Sequence, residues 1–271
     1  MKCAPFEYVR ASSVDEVVKV LGEADGDGKI LAGGQSLVPV LALRMARPSV
    51  LVDVNRIPGL GTIRIVDDGQ AVEVGALVRH ARLVEQTEHP LLAEAARWIG
   101  HTAIRSRGTA GGSVAHADPS AELPVVVAAT GATATVAGPG GVRSIAADDL
   151  FVSALMTSIG DDEMITGLRF PVPTRWGFAE FARRHGDFAL VTAVVAEVGG
   201  TVRIALGGVA PVPQRASAAE HVLAGGGIAA DAARAAADEI EPTADLHGSA
   251  PFRRAIAAEM VRRALASAGV G

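Results

Sequence analysis

The sequence predicts an α+β protein in two parts, and three observations predict it. Near the N-terminus a strand, a helix and a strand follow one another at βαβ spacing, which implies a parallel, buried pairing. Hairpin-type strand pairs and apolar helices follow, up to Pro171-Val172-Pro173. Beyond that tripeptide three strands are succeeded by two alanine-rich helices, the order of a small three-stranded antiparallel sheet with helices. The 271 residues suffice for two domains. One is assigned to 1–172, with subdomains of about 1–55 and 56–172, and the other to 173–271.

Ser13 is the N-cap of a first helix, with Glu16 three residues on and Val14, Val17, Val18 and Leu21 on one face. Lys29 to Ala32 is a short strand. Ser36 caps a helix through Leu37, Val40, Leu41 and Arg44, with Pro39 in its first turn, and Val50 to Val54 is the next strand. Gly61 to Val66 and Ala71 to Val74 flank Asp67-Asp68-Gly69, a hairpin turn. Val78 to Glu85 and Leu91 to Trp98 are helices. Asp118-Pro119 starts another, with Asp as N-cap and Pro at the first position, running through Glu122, Leu123 and Val126 to a C-terminal Gly131. Thr133 to Val136 and Val142 to Ile145 pair across Pro139-Gly140-Gly141, and Met164 to Phe170 is one more strand. In the tail, strands are expected at Ala179–Arg183, Ala189–Val198 and Val202–Gly207, and helices at Ala229–Ile240 and Pro251–Ala268, the second capped by Ser249.

Apolar residues make up 49% of the chain and aromatic residues 4%, so the core is built from Ala, Val, Leu and Ile. The net charge of −5, without basic clustering, does not suit a nucleic-acid binder. The single Cys3 cannot form an internal disulfide or supply the thiolates of an iron–sulfur cluster, and it reads as a small apolar residue near a strand. The seven histidines are scattered, so no metal site is expected. This cysteine usage fits a reducing cytoplasm, and Met1 to Phe6 contains no signal-peptide core. The longest uncharged run, Leu123 to Val142, is broken by Gly131, Pro139 and the Gly138–Gly141 cluster. It reads as a buried helix, a strand and a turn, and no membrane span is expected.

Two glycine doublets carry the chemistry. Each is read between a strand-like and a helix-like run: Ala32-Gly33-Gly34-Gln35-Ser36-Leu37 and Arg107-Gly108-Thr109-Ala110-Gly111-Gly112-Ser113. Glycine permits close approach to the main chain, and amides at a helix start converge on an anion. Two such loops suggest a diphosphate held from both sides, hence a dinucleotide. Neither is a Rossmann or Walker sequence. Taken singly, each is equally well a tight turn without a ligand. Asp118 reads as a cap. Glu122, beside an apolar run, needs a partner if buried and leans to a ligand role. His116 is read as a satisfied half-buried imidazole ahead of a ligand contact, and Arg105 and Arg107 either touch phosphate, form a solvated face or contact a partner.

The first segment, with Arg44, Pro48 and Leu51-Val52-Asp53 behind it, resembles the first FAD loop of the molybdenum hydroxylase flavoproteins. The second, continuing as Ala115-His116-Ala117-Asp118-Pro119 to Glu122-Leu123-Pro124, is similar to their second. Arg183-Arg184-His185-Gly186-Asp187-Phe188-Ala189 and Gly207-Gly208-Val209-Ala210-Pro211 extend the likeness over essentially the whole chain. It resembles the medium, FAD-binding subunit of the carbon monoxide dehydrogenase and xanthine dehydrogenase family. The resemblance implies a two-subdomain FAD-binding domain (PCMH-type, vanillyl-alcohol-oxidase-like) followed by a C-terminal α+β domain of the CO dehydrogenase flavoprotein type. It implies that Ala32, Gly33, Gly34, Gln35, Ser36 and Leu37, and Thr109, Gly111, Gly112 and Ser113, wrap the FAD pyrophosphate, with Leu31, Gly108 and Ala115 counted in the same site. Glu122 falls where the family places an acid on a flavin hydroxyl. Ile99 and Ile104 fall on the adenine side, Met164 and Ile165 on the ring side, and Phe188 against the isoalloxazine, with core packing of the C-terminal sheet as its alternative. Ala110 departs from a usual larger aliphatic, and no lysine stands near Ala179.

The same resemblance implies a function. FAD in this chain receives electrons from [2Fe–2S] centres of a small subunit, after oxidation of substrate at the molybdenum cofactor of a large subunit, and delivers them to an external acceptor. The assembly implied is a dimer of heterotrimers. The chain then needs no catalytic residue of its own. The alternatives are a free-standing FAD-dependent oxidoreductase and a cofactor-free scaffold of the same fold.

Overall fold

The computed structural model describes residues 2–270. Its first unit is β1 (Glu7–Arg10), α1 (Val14–Glu23), β2 (Gly28–Leu31), α2 (Leu37–Ala42) and β3 (Val50–Asp53). The strands form a parallel sheet in the order β1-β3-β2. Ser13 caps α1 by accepting from the Glu16 N–H at 3.2 Å, while the Glu16 carboxylate reaches back to the Ser12 N–H at 2.8 Å. Both halves of the capping exchange are thus present, spread over two serines.

The second unit comprises β4 (Ile63–Val66), β5 (Ala71–Gly75), α3 (His80–Val84), α4 (Pro90–Trp98), α5 (Thr102–Arg105), α6 (Ala110–His116), α7 (Glu122–Thr130), β6 (Thr133–Gly138), β7 (Gly141–Ala146), α8 (Ala147–Leu150), β8 (Phe151–Ser153), β9 (Met156–Thr157) and β10 (Met164–Pro171). A five-stranded sheet has the order β4-β5-β10-β6-β7, antiparallel throughout. Late in sequence yet central in the sheet, β10 closes it between the two hairpins.

The third unit is β11 (Arg175–Phe181), β12 (Val191–Val198), β13 (Thr201–Gly207), β14 (Gln214–Arg215), α9 (Ser217–Ala224), α10 (Ala229–Glu239) and α11 (Ala250–Ala268). Its antiparallel sheet has four strands rather than the expected three. The extra one, β14, is two residues long and offers no alternation to read. The helix α9 was also not expected.

The central element is α7, all of whose residues are buried. One of its sides faces the second unit's core of Val72, Val114, Val136 and Phe170, and the other meets Val194, Ala196 and Ala205 of the third unit's sheet. The intervening residues of β12, Val191, Ala193 and Val195, point the opposite way into a second core with Ala257, Val261 and Leu265 of α11. The period-2 alternation is real, but both faces are apolar, so the strand reads as an unbroken run. Gly177 of β11 lies directly on the Ala264 backbone of α11, an approach that a Cβ would prevent.

One helix starts later than the sequence suggests. Asp118 does not cap α7; its Oδ1 accepts from the Ser120 N–H at 2.8 Å, and the helix begins at Glu122 with Ala121 at the N-cap. The Asp side chain satisfies a local turn instead, and three residues intervene before the helix. Gly131 terminates it in the left-handed region, φ +67°.

Candidate functional site

The first loop leaves β2 at Leu31 and turns at Gly34, whose φ of +73° favours glycine. Gln35 is folded back, Nε2 donating to the Gly33 carbonyl at 3.2 Å. The first amide engaged beyond the strand is that of Val38, on the Gly34 carbonyl at 3.0 Å. Among the described residues nothing accepts from the N–H groups of Gly33, Gly34, Gln35, Ser36 or Leu37. Ser36 precedes α2, but its hydroxyl does not cap: the residue is already in helical conformation, φ −96° and ψ −44°, so its side chain does not reach the first-turn amides. Its hydroxyl is exposed beside the open amides.

The second loop is built differently. The doublet Gly111-Gly112 lies inside the first turn of α6 and follows the short helix α5 and a single antiparallel bridge, Arg79 to Thr109, instead of a strand. Its amides are occupied. Ala110 and Gly111 donate to the Val78 and Ala76 carbonyls, both at 2.9 Å, Gly112 to the capping Thr109 hydroxyl at 3.2 Å, and Ser113 to the Thr109 carbonyl at 2.9 Å. The glycines are needed for space: a Cβ on Gly111 would stand 2.6 Å from the Ala76 Cβ, and one on Gly112 2.6 Å from the Thr109 Oγ1. Gly108 is set on the ring of His80, whose Nε2 lies 3.0 Å from the Thr109 carbonyl. Burial, chiefly, holds His80 down at a pKa of about 4, so it stays neutral, Nε2–H donates, and its buried Nδ1 has no partner.

The loops meet. A Cβ on Gly33 would fall 2.5 Å from the Arg107 carbonyl oxygen and 2.8 Å from the Gly108 Cα, and one on Gly112 would touch the Ala32 Cβ at 3.7 Å. Two residues that the sequence did not single out join them: Asn55 donates to the Leu31 and Ala32 carbonyls, and Arg79 bonds both Asn55 and the Arg107 carbonyl.

The remaining candidates are placed unevenly. Ile99 is buried in the main core and Ile104 is exposed, with Gly100 packed on the Ile104 side chain between them. The Ile104 carbonyl accepts from the Gly108 N–H at 2.8 Å, which ties this segment to the second loop. Met164 and Ile165 are both buried, in different cores; Met164 shares its cluster with Ala32. Ser113 is half-buried and Ala115 exposed on α6, while Ala110 is fully buried beneath it. His116 lies half-buried in the last turn of that helix. Glu122 is buried at the start of α7, and no other described residue hydrogen-bonds its carboxyl. Burial first, then the charge of Asp118, raises its pKa. A second buried carboxyl, Glu180 on β11, accepts from the Thr192 hydroxyl at 3.2 Å and is raised by burial and by Glu122. Sequence inspection missed Glu180; an acid among Phe178, Ala179 and Phe181 was the available signal.

Phe188 is exposed, at 73%, and does not pack into the C-terminal sheet, the alternative weighed for it. Its loop is fastened elsewhere: the His185 ring lies edge-on to Trp98 at 5.8 Å between centroids, and Gly186 rests on the His101 ring. Phe188 is therefore carried on a loop held at Trp98 and His101.

The family profile described as the FAD binding domain in molybdopterin dehydrogenase matches residues 4–173. The chain belongs to this flavoprotein family. The CO dehydrogenase flavoprotein C-terminal domain follows at 176–268. The nicotine 6-hydroxylase medium subunit of Paenarthrobacter nicotinovorans is 41% identical over 99% of each chain. The carbon monoxide dehydrogenase medium chain of Hydrogenophaga pseudoflava is 39% identical over 97% of this chain and 96% of that one. Among solved structures, a carbon monoxide dehydrogenase from Hydrogenophaga pseudoflava that lacks the Mo-pyranopterin moiety superposes with a TM-score of 0.92 at 40% identity, covering 99% of each chain. Quinoline 2-oxidoreductase from Pseudomonas putida 86 gives 0.91 at 37% identity, covering 99% of this chain and 98% of that one. FAD is the family's cofactor, and the residues fit it: open amides at 33–37 stand beside a second wall whose glycines leave no room for side chains. Among the described residues no helix is long and apolar enough to cross a membrane.

Proposed function

We propose that this chain is the FAD-carrying electron-transfer subunit of a molybdenum-containing hydroxylase. In this reading it passes electrons from [2Fe–2S] centres of a small partner subunit to an external acceptor. Bound FAD supplies the junction between two-electron and one-electron chemistry. The observation that carries the reading is the direct apposition of the two glycine loops at Gly33 and Arg107-Gly108. The chain's own work is placement. The amides of Gly33 to Leu37, with the Ser36 hydroxyl, donate to the phosphates. Thr109, Gly111, Gly112 and Ser113 form the facing wall, with Leu31, Gly108 and Ala115 at its margins. Ile99 and Ile104 would border the adenine, Met164 and Ile165 would belong to the ring side, and Phe188 offers an exposed aromatic face. Glu122 accepts from a flavin hydroxyl, which would give its buried carboxyl the partner it otherwise lacks.

The 1–172 and 173–271 division assigns all of these except Phe188 to the first part. A large molybdenum-cofactor subunit, a small iron–sulfur subunit and a dimer of such heterotrimers complete the proposal, in the cytoplasm. Relatives described as medium subunits or medium chains support the assembly, and the lone cysteine supports the compartment. Co-expression with candidate partner subunits tests this. A flavin absorption spectrum together with co-purifying molybdenum and iron is the expected result. A chain that remains colourless after FAD reconstitution, with no rise in melting temperature, refutes it. Gly112→Val is expected to abolish FAD binding, because its Cβ would displace the Thr109 hydroxyl that caps α6 and its γ-methyls would crowd Ala32 across the gap.

A further inference from the structure

We propose that Asn55 and Arg79 are positioning residues that set the separation of the two glycine loops and thereby how tightly they hold FAD; this rests on the reading that both loops flank the FAD diphosphate. A single carboxamide and a single guanidinium span the gap. Asn55 Nδ2 donates to the Ala32 carbonyl at 2.8 Å and to the Leu31 carbonyl at 3.2 Å, fixing the exit of β2. Asn55 Oδ1 accepts from Arg79 Nη2 at 2.7 Å. The other arm of the guanidinium, Nη1, donates to the Arg107 carbonyl. That same carbonyl oxygen is the atom on which Gly33 rests. The bridge therefore ends where the loops touch, and it holds the first loop by its carbonyls while leaving the amides of 33–37 open.

The bridge is itself braced. Asp53 Oδ1 accepts from the Asn55 N–H at 2.9 Å and from Nδ2 at 2.7 Å, and the Tyr8 hydroxyl bonds Asp53 Oδ2. Asn55 thus has one orientation, with its oxygen toward Arg79. Asn55 follows β3 of the first unit, and Arg79 precedes α3 of the second. A ligand gripped by both loops would span the same junction, so a bridge that fixes the gap beforehand lowers the ordering cost of binding. A planar fork can serve two acceptors at a fixed angle; an ammonium on a flexible stem cannot hold both in one geometry.

The test uses the assembled complex, stripped of flavin and titrated with FAD and with ADP, which carries the diphosphate without the isoalloxazine. Asn55→Ala and Arg79→Gln are each expected to weaken both ligands about tenfold, the loss of one hydrogen-bonded link. The double variant is expected to be no weaker than the weaker single, because either change breaks the same bridge. Arg79→Lys is expected not to restore affinity. Should Arg79→Gln fail to assemble, Asn55→Leu, of similar shape and without charge, removes the donors to Leu31 and Ala32 and the acceptor for Arg79 and is expected to show the same loss. The flavin-free melting temperature is expected to hold, and the rise on adding FAD to shrink. Additive losses, unchanged FAD or ADP affinity, or a lowered flavin-free melting temperature with normal FAD binding would overturn the proposal. Gly112→Val separates the layers. If it too binds FAD normally, the loop placement itself falls; if it alone loses FAD, only the bridge does.

Discussion

Gly33→Ala is the sharpest perturbation the site offers. Gly33 does not need a positive φ, so alanine is conformationally acceptable and the effect is purely one of space. The new Cβ would stand 2.5 Å from the Arg107 oxygen, whereas ordinary contact begins near 3.4 Å, so the loops must part by roughly 1 Å. The obstructing atoms are backbone, which cannot rotate away. Overpacking of this kind costs about 1–3 kcal/mol in stability. The larger effect falls on the ligand. A hydrogen bond near 2.9 Å stretched by that amount is lost, and a bond to a charged group contributes about 1.5–3 kcal/mol. FAD should therefore bind about 10- to 100-fold more weakly. Quenching of flavin fluorescence on titration into the deflavinated complex measures this directly, with Gly61→Ala, which has open space at its Cβ, as the control. A Gly33→Ala protein that binds FAD as tightly as the control would refute the idea that the two loops close on one ligand.

Three further outcomes follow from the packing and the buried charges. Glu180 has a raised pKa, so its contribution to stability is present below the ordinary carboxylate range and is lost as pH rises through the raised value. Glu180→Gln should therefore gain melting temperature over wild type by a few degrees more at about pH 8 than at about pH 5, and parallel curves would contradict this. His89 is held at about 4 from 6.5, mainly by burial; its Nδ1 accepts from the Leu92 N–H at 3.2 Å, and its Nε2 lies 3.1 Å from the Pro171 carbonyl. The stability it confers is complete above about 6.5 and lost on the way down to about 4, so His89→Gln should show a shallower acid limb in thermal melts over that window. Gly177→Ala should drive α11 off β11 and lower the urea midpoint by the equivalent of about 1–3 kcal/mol, while Gly140→Ala, with nothing within 4 Å, should leave it unmoved.

What was legible in the sequence was local. The Ser13 cap, the Asp67-Asp68-Gly69 turn and the Gly131 stop each depend on neighbours a few residues away, and each stands where expected. Asp118 misled because one carboxylate can cap a helix or close a turn, and here the Ser120 amide wins. The second doublet was legible as a glycine site but not as a helix start. Its glycines serve packing against Ala76 and Thr109 instead of a turn, a reason invisible without the partner segment. Asn55 and Arg79 lay beyond sequence inspection for the same cause: their bond joins residues 24 apart, and nothing in either neighbourhood announces it. The attachment of the Phe188 loop to Trp98 and His101 likewise depends on how two units dock.

The contrast between the two loops has a kinetic consequence. The α6 segment has its first amides committed to the protein's own carbonyls and to the Thr109 hydroxyl, so it is a finished surface whose shape owes nothing to what it meets. Residues 33–37 are the opposite, a row of donors without an acceptor among the described residues. Isotope exchange of backbone protons should therefore be slow at Ala110 to Ser113 in every state, and at Gly33 to Leu37 fast until a ligand arrives. The rigid side acts as the anvil, and the responsive side records occupancy.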